Sequence, residues 1–256
     1  KNKETLIATY KALVRPSLEF NAPIWYPNAS PTSIKLLQVV QNNALRLITG
    51  CHKKTSIDHL HQETKILKVK NHLDLVCSQF LARTWSPSHC SHDLMQQDPG
   101  PRLMKHTLRT RFFDTVRPFV NDDGFILESS YNKVKTSLHT AAVAAAVSEL
   151  EPNRVLGRRP PPIADEEKFL PRISQTLLAQ LRSDFSIKLR SYLYSINKVP
   201  DDFCPECKSF PHTTAHLFSC PSYPTDLTYD DLWRRPCAVI NFLVSVPTFS
   251  YLPPYV

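Results

Sequence analysis

Cys204-Pro205-Glu206-Cys207, then His216 after eight residues and Cys220 after three more, is the stretch on which the reading of this 256-residue chain turns. Three thiols and an imidazole at the spacing C-x2-C-x8-H-x3-C can close a tetrahedral shell around one Zn2+. Pro205 presets a tight turn between the first two ligands. His216 and Cys220 are four apart, so one helical turn would set both on the same side. Four protein ligands leave no position for water, which makes the expected site structural and not catalytic. His212 competes for the third position, but it stands eight residues from Cys220 and would break the one-turn geometry. The expected metal set is therefore Cys204, Cys207, His216 and Cys220, holding one structural Zn2+.

Around this stretch the composition predicts a mainly α-helical chain. Glycine is scarce (4) and proline abundant (22), which disfavours glycine-rich phosphate loops and favours helices separated by proline-rich connections. Neither G-x-x-x-x-G-K-[ST] nor G-x-G-x-x-G occurs, so nucleotide-binding signatures are missing. Apolar residues make up 42 % of the chain, enough for a core. Cys51, Cys77, Cys90 and Cys237 show no paired spacing, which fits a reducing compartment. No signal peptide opens the chain, and the apolar stretches at 141–147 and 238–246 are too short to cross a bilayer. The expectation is an intracellular protein, in nucleus and cytoplasm, with no membrane partner. A first residue Lys1 instead of Met points to a segment of a longer polypeptide.

Helical spacing recurs along the chain. Residues 4–20 carry Leu6, Ile7, Tyr10, Leu13 and Val14 at that spacing, with an end or a kink expected near Pro16. A helix after Ser30 or Thr32, either of which can cap it, is lined by Ile34, Leu37, Val40, Ala44, Leu47 and Ile48 and stopped by Gly50. Ile57–Thr64 and Lys70–Thr84 read as helices, and residues 86–101 as a loop that includes Ser88-His89-Cys90-Ser91-His92. An alanine-rich helix is expected over Leu138–Leu150, a stiff connector at Arg158-Arg-Pro-Pro-Pro162, one long amphipathic helix over Ile173–Ile196, and a last helix over Asp231–Val244. The organisation expected is a helical region (1–88), a basic and Pro-rich linker region with an Ala-rich helix (89–165), and a long helix plus zinc module (166–256).

The net charge of +8 is uneven. Residues 1–120 carry 17 Lys and Arg against 8 Asp and Glu, whereas residues 200–256 carry 3 against 6. A basic excess signals nucleic acid or another anionic surface. Lys53, Lys54, Lys65, Lys68, Lys70, Arg109 and Arg111 are the expected phosphate contacts. Phe112 and Phe113, beside the last two, are expected in the core and not stacked on bases. Around the zinc ligands only Lys208, Arg234 and Arg235 are cationic, and three thiolates with one imidazole leave the centre at about −1. Zinc is therefore expected mainly to fold and dock its module, and any direct nucleic-acid contact of that module is expected through Arg234, Arg235 and His212.

Tyr10-Lys-Ala-Leu-Val-Arg15-Pro16-Ser-Leu-Glu-Phe20-Asn-Ala-Pro23-Ile-Trp25, followed by Leu37-Gln-Val-Val-Gln41-Asn-Asn-Ala-Leu-Arg46-Leu-Ile-Thr-Gly50, resembles the region just after the polymerase core of non-LTR retrotransposon reverse transcriptases of the jockey-like type. Leu178-Ala-Gln-Leu-Arg182-Ser, the Cys/His set, and Leu232-Trp233-x-x-Pro236 before Phe242-Leu243 are similar to what such polyproteins carry at their end. The resemblance is weak over residues 90–165. It implies a thumb-like helical region, an irregular Pro-rich linker and a small zinc-stabilised C-terminal module of CCHC zinc-knuckle type. It also implies RNA and DNA as partners, together with the rest of the polyprotein, and no small-molecule substrate. The parent would be an RNA-directed DNA polymerase, but its catalytic carboxylates do not carry over. Tyr229-Asp230-Asp231 is one residue short of the Tyr/Phe-x-Asp-Asp hairpin and follows the zinc segment, so it reads as a helix cap. The segment is expected to be non-catalytic and to hold template RNA and target DNA for the upstream polymerase. The alternative is a zinc-stabilised protein-docking module using Trp233, Phe242 and residues 249–256.

Overall fold

The computed structural model of the protein describes residues 2–97 and 108–252. Among them the chain is mainly helical, with 61 % helix and no strand. The N-terminal part forms α1 (Lys3–Thr9), α2 (Arg15–Glu19), α3 (Ala22–Trp25), α4 (Pro31–Thr49) and α5 (Ile57–Thr64). Then come α6 (Val69–Thr84), α7 (His92–Gln96), α8 (Leu108–Val116) and α9 (Tyr131–Ser148). The remainder carries α10 (Arg172–Arg182), α11 (Arg190–Ser195), α12 (Thr214–Leu217), α13 (Asp231–Arg234) and α14 (Pro236–Ser245). Two compact units share the chain. One is Lys1–Lys11, Asn42–Lys65 and Glu151–Val256, and the other is Ala12–Gln41 and Ile66–Leu150. Residues 166–256 fall whole in the first unit, while 1–88 and 89–165 are each divided between the two.

In the first unit, Leu177, Leu178 and Leu181 of α10 pack with Leu232 and Trp233 of α13 and with Val239, Ile240 and Leu243 of α14. A charged quartet sits inside this apolar frame. Lys3, Glu63, Glu167 and Arg182 are all buried. Arg182 Nη1 lies 3.1 Å from Glu63 Oε2, its Nη2 pairs with Glu167, and its Nε donates to the Leu232 carbonyl at 3.0 Å. Lys3 Nζ bridges the same two carboxylates. Burial alone would push the Glu63 carboxyl up, but Arg182 and Lys3 outweigh it and hold it at about 2. His59, one turn before Glu63, is kept neutral by burial, and its Nε2 donates to the Ala179 carbonyl at 2.9 Å.

In the second unit, α6 packs on both α8 and α9. Leu73, Cys77 and Leu81 of α6 recur at four-residue spacing and meet Phe112 and Val116 of α8 and Val134 and Leu138 of α9. Phe112 is core, as its helical spacing predicts. Tyr26 lies inside the same cluster, and its hydroxyl donates to Asp74 at 2.7 Å.

Several elements depart from the sequence pattern for identifiable reasons. The expected long helix over 173–196 is two helices, broken at Asp184, which adopts φ 60°. The gain is a cap elsewhere: Asp184 Oδ1 accepts the Thr214 N–H at 2.8 Å, satisfying an orphan amide of α12. The expected last helix is likewise split at Arg235, because Pro236 clashes with a helical conformation at the residue before it. α9 starts at Tyr131, ahead of the expected Leu138, since only Val134 and Leu138 of its first turns are buried and the polar residues between them hide the period. In α4, Val40 and Leu47 are exposed, while Gln41 is buried because its Nε2 donates to the Leu67 carbonyl at 3.1 Å. A π-helical turn over Tyr10–Val14 takes up the kink expected at Pro16, whose missing N–H cannot continue an α ladder. Ser30 does cap α4, accepting the Ser33 N–H at 3.1 Å, and Gly50 turns left-handed at φ 73°.

Candidate metal centre and the placement of the cations

The first two thiols lie on a hairpin-like turn. Phe203 and Pro211 form an antiparallel bridge, and Cys204 N–H donates to the Phe210 carbonyl at 2.8 Å. Lys208, at φ 55°, reverses the chain and donates its N–H to the Cys204 carbonyl at 2.9 Å. The other two ligands follow a second local device. Thr213 Oγ1 accepts the His216 N–H at 3.2 Å, starting α12. That helix ends at Leu217, so Cys220 is reached through a turn after it and not along its face.

The four ligand atoms converge within 4.8 Å of one another and can hold a metal ion. Cys204 Sγ and Cys220 Sγ are 3.9 Å apart, and Cys207 Sγ is 3.3 Å from His216 Nε2. A tetrahedron with metal–sulfur bonds of about 2.3 Å has S···S edges of about 3.8 Å and S···N edges of about 3.6 Å. A disulfide needs about 2.05 Å, and all seven cysteines are free. Burial pushes the Cys204 thiol up, opposed by the amides of Cys207 and Glu206. The Ser209 amide, with that of Phe210, draws the Cys207 thiol below its ordinary value. Burial lowers His216, keeping the imidazole neutral as a metal ligand requires.

His212 does not join the cluster. Its Nδ1 accepts the Arg190 N–H at 3.3 Å, and its carbonyl accepts the Ser191 hydroxyl at 2.8 Å. Burial, with His216 and Arg190 nearby, pushes it down to about 4. These bonds fasten the metal segment to α11, as Thr214 fastens it to α10 through the Leu181 carbonyl at 2.9 Å. Asp184, Arg190 and Thr213 are supports that the ligand spacing did not reveal.

The expected phosphate contacts are scattered between the units. In the first, Lys53, Lys65, Arg234 and Arg235 are exposed. Lys54 is exposed too, but its Nζ donates to the Ser195 carbonyl at 2.5 Å. In the second, Arg109 lies over the Trp85 ring at 5.5 Å, and Lys68 is half-buried. Lys70 and Arg111 come together at Asp74, 2.7 and 3.7 Å away. Arg102 and Lys105, in the basic stretch before α8, lie outside the described residues, as do residues 253–256. Asp230 of the Tyr229-Asp230-Asp231 run pairs with Arg158 at 2.6 Å, and Asp231 accepts the Thr228 N–H at 2.8 Å. Among the described residues no helix is long and apolar enough to cross a membrane. Comparison of the chain with known protein families, curated proteins and solved structures finds no match to any of them.

Proposed function

We propose that this chain is a non-catalytic, nucleic-acid-binding C-terminal part of a non-LTR retrotransposon reverse transcriptase, holding template RNA and target DNA for the upstream polymerase. One Zn2+ on Cys204, Cys207, His216 and Cys220 folds the C-terminal module, and the helices before it serve as the thumb-like region. The observation that carries the reading is the convergence of those four ligand atoms within 4.8 Å, at the spacing on which the family resemblance rests. Exposed Lys53, Lys65, Arg234 and Arg235 support phosphate attraction from the same unit. Nucleus and cytoplasm are the compartments this role requires.

Affinity for single-stranded RNA across a salt series, with and without Cys204→Ser/Cys207→Ser, tests it. A steep salt slope that survives loss of the ligands is the expected result, with the grip outside the zinc module. No binding by either form at low salt would sink the reading. It would favour the second one, a protein-docking module, which draws support from the engagement of Lys54 by the Ser195 carbonyl.

A further inference from the structure

Lys70 and Arg111 meet at the edge of a cavity of ≈ 480 Å³ lined by α6, α8 and α9. That volume lies within the range of about 300–1,000 Å³ usual for small-ligand sites. Ala141, Ala142 and Ala145 of α9 line one side, and Phe112 and Leu138 add apolar surface. The two cations differ in how firmly they are held. The Arg111 guanidinium lies 4.4 Å over the Tyr26 ring, and its Nη1 donates to the Tyr26 and Pro27 carbonyls at 3.3 and 3.4 Å. Its Nη2 is paired with Asp74 only at 3.7 Å, beyond hydrogen-bond length, so its N–H groups can still donate to an anion that approaches in the guanidinium plane. Lys70 is largely exposed. Asp74 already accepts the Tyr26 hydroxyl as well as Lys70, so one carboxylate faces two cations. Also in the lining, the Asn71 amide donates to Glu149 at 3.1 Å, placing donors and acceptors side by side.

A fixed guanidinium beside an exposed ammonium suits a phosphate. A side of small methyl groups with amide and carboxylate at its edge suits a planar, hydrogen-bonding ring. We propose that this cavity takes one unstacked nucleotide of a single strand, with its phosphate on Lys70 and Arg111 and its base against Ala141, Ala142 and Ala145. The proposal rests on the nucleic-acid reading above and gives that reading one defined seat.

Adenosine monophosphate (AMP) is the probe, added to the full chain carrying methyl-labelled alanine. AMP is expected to shift the Ala141, Ala142 and Ala145 methyl signals and to leave those of Ala179 and Ala238 in place. Lys70→Glu, and Ala141→Trp at an exposed position, should each weaken AMP about tenfold or more, the loss of one charge-assisted contact or of the open volume. Inorganic phosphate alone should bind more weakly than AMP. Unmoved cavity methyls in the wild-type chain overturn the proposal, whatever the variants do, and so does AMP affinity unchanged in both folded variants. A short single-stranded RNA measured alongside separates the failures. RNA retained with unmoved methyls removes only this seat, whereas RNA lost at low salt removes the wider reading while AMP still decides the cavity.

Discussion

Charge occupies the centre of one compact unit and the rim of the other. In the first, Lys3, Glu63, Glu167 and Arg182 are sealed in the interior, and a Cys/His cluster lies beyond them. In the second, the interior is apolar and aromatic. Its cations lie half-exposed on aromatic faces, Arg109 on Trp85 and Arg111 on Tyr26. Desolvated charges hold structure and leave nothing for a ligand, since every lone pair and proton must be matched inside. Half-exposed charges contribute little to stability and remain available to bind. The first unit should therefore respond to metal, pH and single charge deletions, and the second to salt and ligands.

Metal is the widest way to separate them. Structural zinc contributes on the order of 10 kcal/mol in small metal-folded modules. Chelation, or Cys207→Ser, is expected to abolish hydrogen-exchange protection over residues 203–220 and to leave protection in α6 intact. Equal loss in both would break the comparison. Next comes Arg182→Met. Leaving Glu63 and Glu167 buried with Lys3 as their only shared cation should cost about 3–5 kcal/mol, read as a lower urea midpoint for the first unit. A Lys70→Met control in the second should move its midpoint by less than about 1 kcal/mol.

Acid comes third. The Glu63 carboxyl sits at about 2, against an ordinary 4.5. Its contribution is complete above pH 4.5 and is lost as pH falls towards 2, on the order of 3 kcal/mol. His59 acts in the same direction from a higher start. Held neutral when folded, it takes up a proton on unfolding below about pH 6.5. Circular dichroism melts from pH 7 to 3 should show the first unit weakening first, and Glu63→Gln should flatten the lower part of that profile. Gly50→Ala comes last among the first unit's variants, at about 1–3 kcal/mol. Its φ is 73°, and an added Cβ would meet Thr176 Cγ2 at 2.5 Å. Thr176→Ala should restore the steric part and leave the backbone part, a split that thermal melts of the double variant resolve.

What could be read in the sequence was local. The Cys/His spacing is set within one short segment, and the structure brings its four ligands together. The helix Ile57–Thr64 coincides with its period. The charged quartet could not be read, because residues 3, 63, 167 and 182 each resemble an ordinary surface charge until the fold buries them together. The same distance in sequence hid the meeting of Lys70 with Arg111. Helix breaks at Asp184 and Arg235 escaped because apolar periodicity continues through both. There, a remote amide and a proline ring decided the backbone.

Lys3 carries one more consequence, for the order in which the chain folds. Its backbone N–H bonds Gln175, 172 residues away, and its ammonium reaches Glu167. During synthesis at roughly 5–20 residues per second, α1 must wait about ten to thirty seconds for these partners. The segments of the second unit all emerge before α10 does. Closure of so long a loop brings an entropic barrier that local helix pairs avoid. The second unit is thus set to condense while its ribosome is still at work, and the first to close late, when α10 reaches the waiting α1.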